Sequence, residues 1–270
     1  MKSRGIIYWL KRVVITVVLM YVGFCSYLYL VQESIVFRPK KLQQDYKFQF
    51  DQKFEELVIK TQDNTDLSGL LFKADSAKGL VFYLHGNTGA IDSWGEIAKI
   101  YTKMHYNFFV LDYRGYGKSG GEISSEEQLY SDVQTAYNRI KGMYNEKDIM
   151  IFGYSIGTGP AAMLAANNNP KGLVLNAPYF KLTDIMFQKI PFVPTFLLKY
   201  EFPTANFIRE TKVPITIFHG DRDDVIYYGS SLKLKQFLKR GDKLITLQGA
   251  GHVGMNYNRE YQKQLKHILE

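Results

Sequence analysis

One cysteine, Cys25, is all that 270 residues contain, so the chain forms no intramolecular disulfide and no cysteine-based metal cluster, and packing has to supply its stability. Paired histidines and acid clusters at metal-ligand spacing are missing too, which leaves no metal site to argue for. Internal repeats and low-complexity tracts do not occur, which excludes a solenoid or an extended linker. The net charge of +8 is a poor guide to nucleic acid. Four of the positives, Lys2, Arg4, Lys11 and Arg12, crowd the extreme N-terminus, and the basic patches interleaved with aromatics that single-strand binders use are absent. Gly117-Lys118-Ser119 ends like a phosphate-binding loop, but the Walker pattern needs glycine five places before Gly117, where Asp112 stands. Neither ATP nor any other cofactor is expected.

What the chain does have is 46% hydrophobic residues, enough for one large core, and one long uncharged run. Val13 to Val31 holds 19 residues without a charge, about 28 Å as a helix and close to the thickness of bilayer hydrocarbon. Residues 1–31 therefore read as a cytoplasmic tail and a membrane anchor. The basic cluster before the run predicts a cytoplasmic N-terminus and a catalytic domain on the extracytoplasmic side, although Arg38, Lys40 and Lys41 follow closely. Trp9, Tyr21, Tyr27 and Tyr29 are available as interfacial anchors. A cleaved signal peptide is the rival: Val13 to Val22 has signal-core length, and small residues alternate around Phe24. Against it, the apolar run continues through Tyr27 to Val31. Phe24 is too bulky for the residue usually found before a lipid-modified cysteine.

A polar and aromatic connector, residues 32–53, leads into a domain expected over 54–270. Phe54 to Lys60 and Leu67 to Lys73 read as an antiparallel pair around the turn Gln62 to Thr65. Strands then alternate with helical patterns. Strands are expected at Gly79 to Leu84, Phe108 to Leu111, Ile149 to Phe152, Gly172 to Leu175, Ile215 to Phe218 and Leu244 to Leu247. Helices are expected over Ser93 to Met104, from a capping box at Ser124 or Ser125 to Met143, after the Gly153 turn, over Ser230 to Leu238, and over Tyr257 to Ile268. The alternation implies an α/β fold, with a mostly parallel sheet covered by helices on both faces. An irregular insertion, about 179–212, interrupts it.

The chemistry centres on Gly153-Tyr154-Ser155-Ile156-Gly157, set between an apolar strand and a small-residue helix. This is a G-x-S-x-G nucleophile elbow in the context the motif requires. The bend holds Ser155 clear of the sheet, and side chains at the flanking glycines would strike backbone. The amide of Ile156 lies at a helix N-terminus, where unpaired N–H groups favour an anion. A second oxyanion donor is expected from His85-Gly86-Asn87 after the Gly79 strand, with the amide of Asn87 as the donor. Serine needs a base, and the base needs an orienting acid. His85 and His219 directly follow strands and read as loop-shaping residues, and His105 and His267 have no motif support. His252, in Gly249-Ala250-Gly251-His252, follows the last strand and is the expected base. The acid is sought among Asp221, Asp223 and Asp224, with Asp223 preferred because the turn after Gly220 leaves room for its carboxylate to point back.

These motifs, with Asp112 to Ser119 and Asn176-Ala177-Pro178, resemble the α/β-hydrolase family from about Phe54 to the C-terminus. Within that family they resemble the small membrane-anchored α/β-hydrolase-domain serine hydrolases, which include protein depalmitoylases and bacterial relatives. The resemblance implies the α/β-hydrolase fold and an acyl-enzyme mechanism: Ser155 as nucleophile, His252 as base, Asp223 as acid, and the amides of Asn87 and Ile156 on the oxyanion. The palmitoylated cysteine cluster of the eukaryotic depalmitoylases is missing, and the apolar run stands in its place.

The insertion is more apolar than a surface loop should be, with Phe180, Ile185, Met186, Phe187, Ile190, Phe192, Val193, Phe196, Leu197, Leu198 and Phe202. Two readings stay open. One is ordinary packing onto the sheet. The other is a short cap lining an apolar acyl pocket, which predicts an ester or thioester hydrolase for membrane-proximal acyl substrates. A peptidase of the same fold would need an amine-binding acid in the cap, with Glu201 and Glu210 as candidates. A silent, membrane-tethered binding protein is the rival from another class.

Overall fold

Alternation decides the layers. In the strand Gly79–Leu84, Leu80, Phe82 and Leu84 pack into one apolar cluster while Val81 and Tyr83 pack into another. Such a strand is buried on both faces and needs helices on each. The computed structural model describes the backbone of residues 2–270 and the side chains of residues 5–270, so the side chains of Lys2 and Arg4 in the expected basic cluster lie outside the described residues.

The central sheet has eight strands: β1 Phe54–Lys60, β2 Asp66–Phe72, β3 Gly79–Leu84, β4 Tyr106–Leu111, β5 Ile149–Tyr154, β6 Gly172–Asn176, β7 Ile215–Gly220 and β8 Lys243–Leu247. Their order is β8-β7-β6-β5-β3-β4-β2-β1. β2 pairs antiparallel with β1 and β4, and the other neighbours are parallel. The helices are α1 Lys2–Val36, α2 Glu126–Lys141, α3 Thr158–Asn167, α4 Leu182–Lys189, α5 Thr204–Glu210, α6 Gly229–Lys235 and α7 Arg259–Leu269. α2, α3, α5 and α6 cover one face of the sheet. Short helical pieces between Ile91 and Thr102 cover the other face together with α7.

Three expectations differ from what is observed. The helix expected over Ser93 to Met104 runs over Ile91–Thr102 instead, and its middle, Gly95–Ile97, is tightened into a 3-10 turn between Ile91–Trp94 and Ala98–Thr102. Gly95 lies against the Phe50 ring, where a β carbon would stand 2.5 Å away. The insertion is not irregular, because it folds into α4, a turn at Thr195–Leu197, and α5. The stretch expected as a connector is folded onto the domain. α1 runs to Val36, Arg38-Pro39 pairs with Thr88-Gly89, and Phe37 and Phe48 are buried in the two cores.

The loop Asp112 to Ser119 is structural. Arg114 is buried and bonds Asp132 of α2 through Nε at 2.5 Å and Nη2 at 2.9 Å. Its fork also reaches Asp63 in the β1–β2 turn, at 2.7 Å to each oxygen. One guanidinium thus ties a helix to a hairpin. Gly117, at φ +50°, lies against Asp112, where a β carbon would overlap the carboxylate oxygen at 1.9 Å. This close approach accounts for the glycine.

Candidate active site

Parallel strands end at one edge, and four of the loops that leave that edge converge. β5 passes directly into Ser155, held at φ +53°. The two motif glycines permit the bend by contact as much as by conformation. A β carbon at Gly157 would lie 2.3 Å from Leu84 O at the end of β3, and one at Gly153 would lie 2.6 Å from Gly157 O. Tyr179, fully buried, supports the turn from behind. Its hydroxyl donates to Ile156 O at 2.9 Å and accepts from the amide of Gly159 at 3.1 Å.

Ser155 Oγ lies 3.1 Å from His252 Nε2, and His252 Nδ1 lies 2.7 Å from Asp223 Oδ2. These residues, 97 and 29 positions apart in sequence, form one continuous hydrogen-bonded chain. The β8 loop reaches over because Gly220 lets it close in: a β carbon there would meet Ala250 O at 2.2 Å. The hydroxyl of Tyr154, the variable residue before Ser155, donates to the carbonyl of His252 and holds that loop down.

Asp223 is buried, and each carboxylate oxygen has its own partners. Oδ1 accepts from the amides of Val225 and Ile226 at 2.9 and 2.8 Å. Oδ2 faces His252 and, at 3.2 Å, His219 Nε2. Burial pushes the Asp223 pKa up, but hydrogen bonds from His219, His252 and the Ile226 amide outweigh it and hold the carboxyl well below the usual carboxylate range. The neighbouring acids are placed otherwise. Asp221 accepts from the amide of Gly249 at 2.6 Å, and Asp224 is exposed.

His219 belongs to this arrangement, although the sequence suggested only a loop-shaping role. Its Nε2 lies 2.8 Å from Ile226 O and its Nδ1 lies 2.6 Å from Ser231 Oγ. A carbonyl only accepts, so Nε2 carries a proton, and that proton also faces Asp223. The signal available in sequence was its place directly before the Gly220 turn. His85 is buried, with Nδ1 2.6 Å from Gly86 O and Nε2 3.6 Å from Asp112 Oδ1. Burial raises the Asp112 pKa, against the opposing effect of that imidazole.

A cavity of about 330 Å³ opens at Ser155, and Asn87 and Ile156 both line it. The cap supplies Leu182, Ile185, Met186, Ile190, Val193, Leu197 and Leu198. Phe180 and Phe202 pack elsewhere, and Phe187, Phe192 and Phe196 are exposed. Sequence reasoning did not foresee the opposite wall, which is α1 through Leu28, Tyr29, Gln32, Ile35 and Val36. The lining contains no carboxylate, and Glu201 and Glu210 are not part of it. Among the described residues no group of side chains is arranged to hold a metal ion.

A family described as "Serine aminopeptidase, S33" matches residues 75–207. Alpha/beta hydrolase domain-containing protein 17B of Xenopus laevis is 31% identical over 200 residues, covering 72% of this chain and 67% of that protein. The human protein of the same name is 30% identical over the same shares. Among solved structures, a Pyrococcus furiosus esterase superposes with a TM-score of 0.69 at 20% identity, covering 87% of this chain and 96% of the esterase. An alpha/beta hydrolase from a Penicillium species does so at 0.67 and 17% identity, covering 80% and 98%.

Proposed function

We propose, from the premise that this chain belongs to the α/β-hydrolase family of serine hydrolases, that it is a membrane-anchored ester or thioester hydrolase acting on acyl substrates through Ser155, His252 and Asp223. Ser155 Oγ attacks the acyl carbonyl and gives its proton to His252 Nε2, which passes it to the departing alcohol or thiol. The carbonyl oxygen, now negative, is held by the amides of Asn87 and Ile156. Water activated by the same imidazole then releases the acid and restores Ser155. Asp223 fixes the imidazole tautomer and stabilises its charged form.

The observation that carries this reading is the hydrogen-bonded chain from Ser155 to His252 to Asp223, opening into a cavity lined largely by aliphatic side chains, with Gln32, Arg38 and Lys189 among the polar ones. Lack of a carboxylate in that lining disfavours an aminopeptidase, which needs an anion for the substrate amine. In this proposal α1 spans the bilayer with its N-terminus cytoplasmic, residues 32–53 join it to the domain, and 54–270 carry the chemistry, with the cap at about 179–212. An apolar helix of 32 residues, Gly5–Val36, exposed from Gly5 to Phe24, supports the anchor.

The test is labelling of the detergent-solubilised full chain by a fluorophosphonate, with p-nitrophenyl ester hydrolysis alongside. Both are expected in the wild type and absent in Ser155→Ala. A folded wild type that takes no label would leave a tethered binding protein as the better reading. Equal turnover of short and long esters would count against an acyl-shaped pocket.

A further inference from the structure

The anchor is joined to the site at several points. The side chain of Asn87 donates to Val36 O, the last carbonyl of α1, at 3.1 Å, and the amide of Arg38 donates to Asn87 O at 2.9 Å. Buried Gln32 clamps α1 to the cap, donating to Leu197 O at 3.1 Å and accepting from the amide of Lys199 at 2.8 Å. Lys199 Nζ adds a bond to Glu33 at 2.8 Å. Higher on the helix, Tyr21 donates to Phe192 O at 2.8 Å, and the rings of Phe24 and Phe192 lie 6.1 Å apart. A helix that served only as a tether would need none of these contacts.

Leu28, Tyr29, Gln32, Ile35 and Val36 fall at helical spacing on one face, and together they give about 12 Å of wall to the cavity that ends at Ser155. Tyr21 lies ten residues before Val31, about 15 Å back along the apolar helix, which is half the thickness of bilayer hydrocarbon. The cap tip therefore sits beside the apolar stretch of α1, and its Phe187, Phe192 and Phe196 are exposed. Large apolar side chains left open to water at a cap tip are costly, and in a leaflet they are not.

We propose that α1 is a wall of the acyl site as well as an anchor, and that the substrate is a bilayer-resident long-chain acyl ester or thioester whose tail passes from the leaflet along residues 28–36 to Ser155. The proposal rests on the reading of Ser155 as nucleophile. The tail then never crosses water, so its transfer costs little hydrophobic free energy. Only the ester or thioester group leaves the membrane interface.

The experiment uses the full chain in phosphatidylcholine vesicles and a hexadecyl fluorophosphonate carrying a diazirine near the middle of its chain, at a reach from phosphorus that matches the wall of residues 28–36. Ser155 Oγ bonds to phosphorus, fluoride leaves, and irradiation joins that carbon to whatever lies beside it, with loss of dinitrogen. Mass spectrometry of the digested adduct is expected to find cross-links on residues 28–36. Labelled Ser155 with cross-links confined to residues outside α1 overturns the proposal and leaves the hydrolase reading standing. No labelling at all removes the hydrolase reading first. A second measurement compares Leu28→Trp with Leu30→Trp, Leu30 being exposed and outside the cavity. The ratio of kcat/KM for palmitoyl over butyryl p-nitrophenyl ester should fall about tenfold in Leu28→Trp and stay level in Leu30→Trp. An equal ratio in both overturns it.

Discussion

Replacing Asp223 by asparagine removes a charge while keeping the shape, and the surrounding donors decide which way the new amide turns. Oδ1 accepts from two backbone amides, those of Val225 and Ile226, so placing NH₂ there would oppose two buried donors, at about 1–3 kcal/mol each. Placing NH₂ at the Oδ2 position opposes one donor, the His219 Nε2–H at 3.2 Å. The second orientation is cheaper. It points the amide hydrogens at His252 Nδ1, which must then accept, and the imidazole proton moves to Nε2. That atom lies 3.1 Å from Ser155 Oγ and can no longer take its proton. The expected loss is about 10⁴-fold in kcat, as for the same change in other serine triads, or about 5.5 kcal/mol of barrier. Stability should fall by only about 1–3 kcal/mol, the cost of the one opposed donor. The assay is steady-state hydrolysis of p-nitrophenyl butyrate by the detergent-solubilised chain, with thermal unfolding in parallel. An Asp223→Asn variant that stays within tenfold of wild type while Ser155→Ala is silent would refute the tautomer reasoning.

Three further predictions follow from contacts already described. Gly157→Ala drives a methyl group to 2.3 Å from Leu84 O, and thermal or urea unfolding should show a loss of about 3 kcal/mol, with fluorophosphonate labelling reduced; unchanged unfolding would contradict the close approach of the elbow to β3. Arg114→Met strands the buried carboxylate of Asp132 and should cost about 3–5 kcal/mol in urea, with part recovered by a second change, Asp132→Leu; no recovery would place the cost elsewhere. The Asp223 carboxyl is held below its unfolded value, so its contribution to stability is fully present above pH ~4, the unfolded carboxylate pKa, and is lost as pH falls further toward the folded value. Acid unfolding of Asp223→Asn should therefore be shallower than that of the wild type below pH ~4, and parallel curves would remove Asp223 from the acid-sensitive set.

The sequence itself determined a good deal. Continuous apolar runs are a one-dimensional signal, and β3 appeared at Gly79 to Leu84 as expected because a strand buried on both faces has no polar positions to blur its ends. The elbow was legible for a similar reason, since strand, glycines, serine and helix are adjacent in the chain and the strain at Ser155 is local. The start of α2 was legible to within one residue, as a cap at Ser124 or Ser125, and the folded chain uses Ser125, whose hydroxyl accepts from Gln128 N. Local rules gave no view of what depends on neighbours distant along the chain. Gly95 lies against the Phe50 ring, where a β carbon would stand 2.5 Å away, and no periodicity within residues 93–104 contains that fact. His219 differs from an ordinary loop histidine only because its ring nitrogen meets Asp223 and Ile226 O. Above all, the apolar run at the N-terminus specified a helix fit to cross a bilayer, while the placement of one face of that helix against the cap and Ser155 was left to tertiary structure. Hydropathy is a sum over residues, and a pocket wall is a relation between segments: Leu28 and Ile35 score alike whether they meet lipid or line a cavity, and only the folded chain, through Gln32 and Asn87, fixes which of these they do.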